Sequence, residues 1–596
     1  MASPITSRRR YLIAGSLLLV AGLIVTNVWR SQRRQGSEAT PEGITDRVLR
    51  GETTISESPA TAAGFRFTNV ASDAGIEFEY YGGPSRDGNM TEQNGGGVAV
   101  FDFDHDGTPD LFFANGSRFD KSAAAANESS RLYRATGNLT YGDVTQTAGL
   151  ESFGFGMGTC AGDFDNDGFV DLFLACYGRN QLWRNNGDGT FADITDAAGV
   201  GDDSWGTSAA FADLDNDGFL DLYVVNYVEW SPNDEPCTIS DESDVRIICS
   251  PMTRSGQSDL LFRNGGDGVF SEVGNAAGID LAETGKGLAL SVADFNSDGL
   301  LDVYVVNDTT KNFLFLNKSG MLFEESAVRM GAALSSNGVQ GAGMGVGNSD
   351  YDRNGHLDLC VSNFQNQAND LYANLGDAGF VPANEETGLD LVSRPRLGFG
   401  ILFADFNLDR WPDMFVANGH IWDKRSVIPD YEYLMLPQVM QNVEGRRFKD
   451  VSAGAGNYFT KRGLGRSVAV GDLDNDGDPD LVIQHLSAQP AILRNDFSGA
   501  ANGVSIELIG TVSARQPLGM SITVLDDGEE FVLRVPSGDS FQASHDHRVL
   551  HSLGDDSAIG EIKVKWSIGT EEVWRNVKAD DREVRLIEGT GLPSSG

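Results

Sequence analysis

Nine residues, Asp102-Phe-Asp-His-Asp-Gly-Thr-Pro-Asp110, carry four carboxylates. Left bare, so many like charges would take up protons or spread the loop, so their crowding calls for a cation. Acidic side chains stand at positions one, three, five and nine of this nonapeptide, with glycine at six. Alternating acids on a tight loop converge their oxygens on one point. The glycine admits the left-handed turn this needs, and the carbonyl of position seven adds another oxygen. Hard oxygen donors in that number suit Ca2+. The spacing matches the first half of an EF-hand loop, but no glutamate stands at position twelve and no helical pattern flanks it.

The peptide recurs to make seven loops. Their candidate metal ligands are Asp102, Asp104, Asp106 and Asp110 in loop one, Asp163, Asp165, Asp167 and Asp171 in loop two, and Asp213, Asp215, Asp217 and Asp221 in loop three. Loop four offers Asp294, Asn296, Asp298 and Asp302, and loop five Asp350, Asp352, Asn354 and Asp358. Loop six offers Asp405, Asn407, Asp409 and Asp413, and loop seven Asp472, Asp474, Asp476 and Asp480. One such peptide would mark a polar turn as readily as a metal loop; seven in one setting point to calcium, up to seven ions. In loop six Asn407 replaces a carboxylate and Arg410 replaces the glycine, so that loop is expected to bind weakest.

Each loop lies between a run of small residues, such as GGGVAV or GTSAAFA, and an apolar run, such as LFFAN or LYVVN. Those flanks make it the turn of a β-hairpin. A second hairpin recurs as LWRNNGDGTFADITDAAGV and its relatives, with NGDG and GGDG as tight turns. Two hairpins give four strands, and loop spacings of 61, 50, 81, 56, 55 and 67 residues lie a little above the usual length of a propeller blade. The last strand-like element of the repeat first appears at Phe67, ahead of any loop, while the final hairpin at AILRNDFSG lacks its second strand. A ring resolves both ends and removes two open sheet edges. The expected fold is all-β: a seven-bladed propeller over 61–500 closed by an amino-terminal strand, then a small β-sandwich-like domain over 501–592.

The formal charge is −41, and no basic stripe occurs beyond the first 35 residues, which argues against nucleic acid as a partner. Arg8 to Arg10 precede an uncharged run from Tyr11 to Trp29, about 28 Å long as a helix. It reads as a signal anchor over 1–34, a single transmembrane helix holding an extracytoplasmic propeller, periplasmic or extracellular, or one secreted if the helix is cleaved. Residues 35–60 are small and polar, a flexible linker. Cys237 and Cys249 share one insert and form either a disulfide or two free thiols; Cys160, Cys176 and Cys360 fall in apolar runs and read as core.

DFDNDGFVDLFLAC and its siblings resemble FG-GAP/VCBS repeats, the calcium-loop blades also found in integrin α-subunit heads. Their pairing with FADITDAAGV-type elements resembles the cartilage-acidic-protein-like (CRTAC) group, in which such a propeller precedes an ASPIC/UnbV domain. RQPLGMSITV, SGDSFQAS, HSLGDD and VKWSIGTEEVW are similar to that domain's signature, with LGM in place of I-G-A and HSLG in place of F-G-L-G. The resemblance implies an exported, calcium-dependent propeller for binding or adhesion and no established catalytic residues.

No G-x-S-x-G, H-E-x-x-H or G-x-x-x-x-G-K-[ST] occurs. His105 and His356 sit inside metal loops and are expected to face solvent, and His420 and His485 to lie at a propeller surface. His545, His547 and His551 form H-x-H-x3-H; on a strand His545 and His547 would share one face and could hold a transition metal, or the histidines merely form a polar strand edge. The acidic insert 229–258, with Tyr227, Trp230 and Trp422, is the expected contact for an extracellular protein or glycan, unless these aromatics only fill gaps between blades. The first reading is thus a membrane-tethered binding or adhesion module. The alternative is a lyase-like enzyme of polysaccharide, which would need a cluster of His, Lys, Arg and Asp at the ring's centre.

Overall fold

The computed structural model describes residues 64–594, apart from 84, 86–87, 120–128, 151, 153, 240–244, 426–429, 498–501, 555–557 and 580–581. The signal anchor expected over 1–34 and the linker over 35–60 lie outside the described residues. Among those described, no helix is long and apolar enough to cross a membrane.

Seven four-stranded antiparallel sheets follow one another along the chain, an all-β arrangement of propeller type. The third is representative, with Gly206–Ala212, Asp221–Asn226, Leu260–Asn264 and Phe270–Glu272 side by side. Second strands such as DLYVVN and DVYVVN are rich in β-branched and aromatic residues and buried along their whole length. Sheets stacked face to face bury both surfaces of these strands, so hydrophobic alternation disappears. The first strands of neighbouring sheets pack together, and that of sheet seven, Gly465–Gly471, packs on that of sheet one, Val98–Phe101. Sheet seven takes its fourth strand, Phe67–Asn69, from the amino-terminal end, pairing Phe67 with Asn495 and Asn69 with Leu493.

A buried asparagine stands at the end of the third strand in five sheets and one residue before it in sheet six. Its side-chain amide donates to the carbonyl of position two in the preceding loop: Asn185 to Phe103 at 2.8 Å, Asn264 to Phe164 at 2.8 Å, Asn317 to Leu214 at 2.7 Å. Asn374, Asn442 and Asn495 repeat the bond to Phe295, Tyr351 and Phe406 at 2.9 Å each. Sheet one has Ala135 at the equivalent place, so the bond is missing only where sheet one meets sheet seven.

After the seventh sheet comes a two-sheet domain. Its three-stranded sheet joins Val549–Gly554, Asn502–Ile509 and Glu583–Ile587; its five-stranded sheet is led by Glu529–Arg534, Ser521–Asp526 and Ala558–Lys565. Val504, Ile506, Leu508, Ile522, Val524 and Ile562 share one core. Between the strands ending at Arg534 and beginning at Val549, the chain enters the middle of the seven sheets. Val292 N–H donates to the Ser537 carbonyl at 3.1 Å and Asp539 N–H to Leu290 at 2.7 Å. Further along, Thr159 N–H donates to Gln542 at 3.2 Å, Val100 N–H to Ser544 at 3.0 Å and Asp546 N–H to Val470 at 3.1 Å. Val346 exchanges two backbone bonds with Ser540, and Ser537 Oγ donates to Phe211. Phe541 is fully buried and meets Phe399 edge-on at 5.0 Å. One segment of twelve residues, 535–546, thus touches the first strand of all seven sheets. Small residues in and beside those strands make room for it: a Cβ on Gly97, just ahead of the first strand, would lie 2.2 Å from the Gln542 carbonyl oxygen.

Candidate metal centres

Six of the seven loops share one hydrogen-bonded frame, shown by loop one; loop two differs in one bond, its Asp167 N–H donating to Asp165 at 3.3 Å. The Asp102 carboxylate accepts from the N–H of Asp106 at 3.2 Å and of Gly107 at 2.8 Å. Asp106 in turn accepts from Thr108 N–H at 3.0 Å. Both oxygens of Asp110 accept backbone N–H groups, from Phe103 at 3.0 Å and from Ala135 of the third strand at 2.7 Å. The same bonds at position nine recur down to Asp480, which accepts from Leu473 and Asn495. Position nine therefore ties its own loop to the sheet as well as offering oxygen to an ion.

Two residues of each loop have left-handed backbone. Position six is the glycine expected in six loops, with φ of 85° at Gly107 and 92° at Gly477, and Arg410 in loop six. Position four is left-handed too, from His105 at 58° to Asn475 at 57°. Sequence reasoning missed this second position, although Asn at Asn166, Asn216 and Asn475 was a signal for it. Position-four side chains bridge loops: Asn166 donates to the Gly218 carbonyl at 2.8 Å and Asn475 to that of Gly107 at 2.9 Å. His105, expected to face solvent, is exposed yet meets the Gly168 carbonyl in the same way.

The frame brings positions one, three and nine together. Asp102, Asp104 and Asp110 hold ligand oxygens within 4.8 Å of one another, as do the matching trios of loops two, three, five and seven. Position five stands outside these trios and braces the loop through its bond to position seven. In loops four and six, position three is an asparagine that turns its amide to position five: Asn296 to Asp298 at 3.0 Å and Asn407 to Asp409 at 2.9 Å.

The trios are chemically suited to a hard cation. Asp104 Oδ1, Asp163 Oδ1, Asp215 Oδ1 and Asp474 Oδ1 are buried with no hydrogen-bond partner among the described residues. A buried orphan carboxylate oxygen is costly unless an ion takes it up. Burial, reinforced by neighbouring carboxylates, lifts Asp110 to about 8, Asp163 to about 7 and Asp213 and Asp472 to about 6 from the ordinary 3.8. A divalent ion would reverse that and hold them ionised. Several acidic groups of this protein can therefore bind metal ions.

The other singled-out residues separate. His545 is buried and its Nδ1 accepts from Val470 N–H at 3.1 Å, while His547 lies 3.7 Å from Glu507 and His551 3.7 Å from Asp526. His545 lies in the central segment and His547 just beyond it, neither on a strand, so the shared strand face considered for them does not form. Burial depresses His545 to about 3 and His485 to about 4, so both are neutral. Tyr227 is fully buried and donates to Asp308 at 2.7 Å, and Trp230 packs on Tyr177 and Trp205; both fill gaps. Trp422 instead lines a cavity of about 460 Å³ with Tyr81, Tyr433, Glu79 and Ile247. Its walls come largely from connections between second and third strands, at the opposite end of the sheets from the metal loops. In the insert, Cys237 and Cys249 form a disulfide, with Cα atoms 5.2 Å apart. Cys160, Cys176 and Cys360 are buried thiols, as expected of core residues.

The FG-GAP-like repeat family matches residues 102–174, 163–224, 247–305 and 350–416, and the FG-GAP repeat family matches 464–483. The ASPIC and UnbV family matches 510–592. Cartilage acidic protein 1 of Mus musculus is 25% identical over 316 residues, 52% of this chain and 46% of that protein. The Homo sapiens protein of the same name is also 25% identical over 316 residues, 52% of this chain and 45% of that protein. The match thus spans about half the length of these curated relatives. Among solved structures, an Agrocybe aegerita lectin described as recognising non-reducing terminal N-acetylglucosamine superposes with a TM-score of 0.36 at 15% identity, over 65% of this chain and 85% of that one. BBS1N, solved in complex with ARL6DN, reaches 0.39 at 10% identity, over 74% and 99%. Superpositions this loose bear on neither ligand nor mechanism. The loop frame, the sheet repeat and the family matches agree: the chain carries FG-GAP-like repeats followed by an ASPIC and UnbV domain.

Proposed function

We propose that the chain is an exported binding or adhesion protein whose seven sheets close into a ring stabilised by Ca2+. The orphaned carboxylate oxygens of the buried acid trios carry this reading. They fit oxygen-seeking divalent ions that rivet hairpin turns, with Ca2+ as the ion and position five supplying a further ligand when it is bound. Phe67–Asn69 and the segment 535–546 support the ring, one completing the last sheet and the other touching all seven. The disulfide suits an oxidising compartment outside the cytoplasm. Membrane tethering through residues 1–34 belongs to the same proposal, as do the domain limits 61–500 and 501–592.

The partner, an extracellular protein or a glycan, is proposed to dock at the Trp422 cavity. The lyase-like alternative needs a catalytic cluster at the centre of the ring. Phe541 fills part of that place, and the charged and imidazole groups beside it are engaged, Asp539 with Arg534, Asp546 with Arg548 and His545 with Val470 N–H, which favours binding over chemistry there. The test is calcium titration of the soluble chain 61–596 by calorimetry, followed by a glycan array with product analysis of every hit. Heat release at several saturable sites and unaltered hits support the reading. Absence of calcium binding, or cleaved glycans, defeats it.

A further inference from the structure

Loop six differs from the others in more than one residue. Arg410 holds position six at φ 71°, a left-handed conformation that costs a side chain strain and glycine none. Its N–H still donates to Asp405 at 2.6 Å, so the turn keeps its shape. The guanidinium leaves the loop and enters the carboxy-terminal domain. Nη2 donates to Asp526 Oδ2 at 2.7 Å and to the Leu553 carbonyl at 2.8 Å, Nη1 to Asp527 at 2.9 Å and Nε to the Ser552 carbonyl at 3.0 Å. Ser552 Oγ donates back to the Leu408 carbonyl at 2.8 Å. The Arg410 side chain is 12% exposed and that of Asp526 is 2%, so this is a buried contact. Burial pushes the Asp526 carboxyl up, but His551 and Arg410 outweigh it and hold the carboxyl below its ordinary value.

A second arginine lies beside the loop, and both guanidinium groups stand over the Phe531 ring, at 4.9 Å and 5.6 Å. Arg353, at position four of loop five, donates to the Arg410 carbonyl at 3.1 Å and stacks 3.8 Å over the Trp411 ring. Of the loop's side chains, Asn407 is spent on Asp409, its amide donating to the carboxylate and its oxygen accepting the Asp409 N–H. An incoming cation would meet three carboxylates, no orphaned oxygen among the described residues, and two positive charges nearby.

We propose that loop six holds no metal and is instead a docking loop, in which Arg410 fastens the ASPIC and UnbV domain to the sheets independently of calcium. The inference rests on the calcium reading only for its contrast with the other loops. Its strain is sustained by the charged bonds that Arg410 makes across the interface.

The test combines ion counting with hydrogen exchange on the full chain. In native mass spectrometry, Asp102→Asn is expected to release one calcium per chain and Asp405→Asn none; one ion lost from Asp405→Asn overturns the assignment. Arg410→Gly restores the loop's usual glycine and relieves the backbone, so it should fold. Amide exchange in Ser521–Asp526 and Val549–Gly554 should quicken about tenfold or more in Arg410→Gly, in EDTA as well as in calcium. Unchanged exchange in either condition overturns the docking role. If neither aspartate variant changes the ion count because the chain holds no calcium, the calcium reading fails alone, and the exchange arm still decides the role of Arg410.

Discussion

Loops six and seven are neighbours with the same backbone and opposite chemistry. In both, position one accepts the N–H of positions five and six, and position nine accepts the N–H of position two and of the third strand. Loop seven then adds charge: Asp478 at position seven is a fifth carboxylate, 4% exposed, with Oδ1 unpartnered among the described residues and its carboxyl lifted to about 9 by burial and by Asp476. Loop six removes charge and supplies an arginine. Both loops still touch the carboxy-terminal domain, loop seven through Arg548, which donates to the Asp472 carbonyl at 2.9 Å, and loop six through Arg410. The comparison teaches that hydrogen bonds set the shape of the turn, while the side chains decide whether it gathers carboxylates or sends a guanidinium into the neighbouring domain.

Calcium removal should separate the two loops most strongly. At tenfold excess over its dissociation constant each ion contributes about 1.4 kcal/mol, so five acid trios sum to about 7 kcal/mol, comparable to the stability of a domain. EDTA is expected to lower the melting temperature markedly and to speed amide exchange in loop seven far more than in loop six. Equal acceleration in both would erase the distinction.

Phe541→Ala should act on both loops alike. It empties the centre of the sheets at a cost of about 3–5 kcal/mol, and denaturant unfolding should show that loss with or without calcium. A loss seen only in EDTA would mean that the segment 535–546 and the ions stabilise the fold through one another.

Acidity offers a finer probe. Asp110 at about 8 and Asp163 at about 7 have folded pKa values above their unfolded ones, so the metal-free folded chain holds protons that the unfolded chain releases between about pH 4 and 8. Their stabilising share is complete below pH 4 and is lost as pH rises through the folded values. EDTA-treated protein should therefore melt higher at pH 5 than at pH 8, and calcium should narrow or reverse that difference by holding the carboxylates ionised. A melting temperature that rises with pH in EDTA would contradict the buried-trio picture.

The smallest effect on stability is expected at Trp422. Trp422→Ala should leave the melting temperature within about 1–2 °C, because the ring is partly exposed at a cavity wall. It should nevertheless abolish binding of any glycan found on the array. Retained binding would move the docking site elsewhere.

Much of the site was legible because its chemistry is local. Asp102, Asp104 and Asp110 lie within nine residues, and a turn so short leaves few ways to arrange them, so composition and spacing reveal an acid cluster suited to a cation without any knowledge of the fold. The strand order was legible for the same reason, each second strand being announced by its own DLYVVN or LFFAN. The unpaired elements at Phe67 and AILRNDFSG even pointed to the strand exchange that the structure displays. The roles of Tyr227 and Trp422 were not legible, because an aromatic ring at a connection looks the same whether it fills a gap or faces a cavity.

The sequence by itself determined where the acidic loops are, which of them departs from the pattern and how many sheets are built, since each of these depends on contacts within a few residues. Only the tertiary structure decided what Arg410 and SGDSFQAS do. Their partners lie more than a hundred residues away along the chain, Asp526 for the arginine and Val100, Leu290 and Val346 for the segment, and no local pattern encodes a contact of that span.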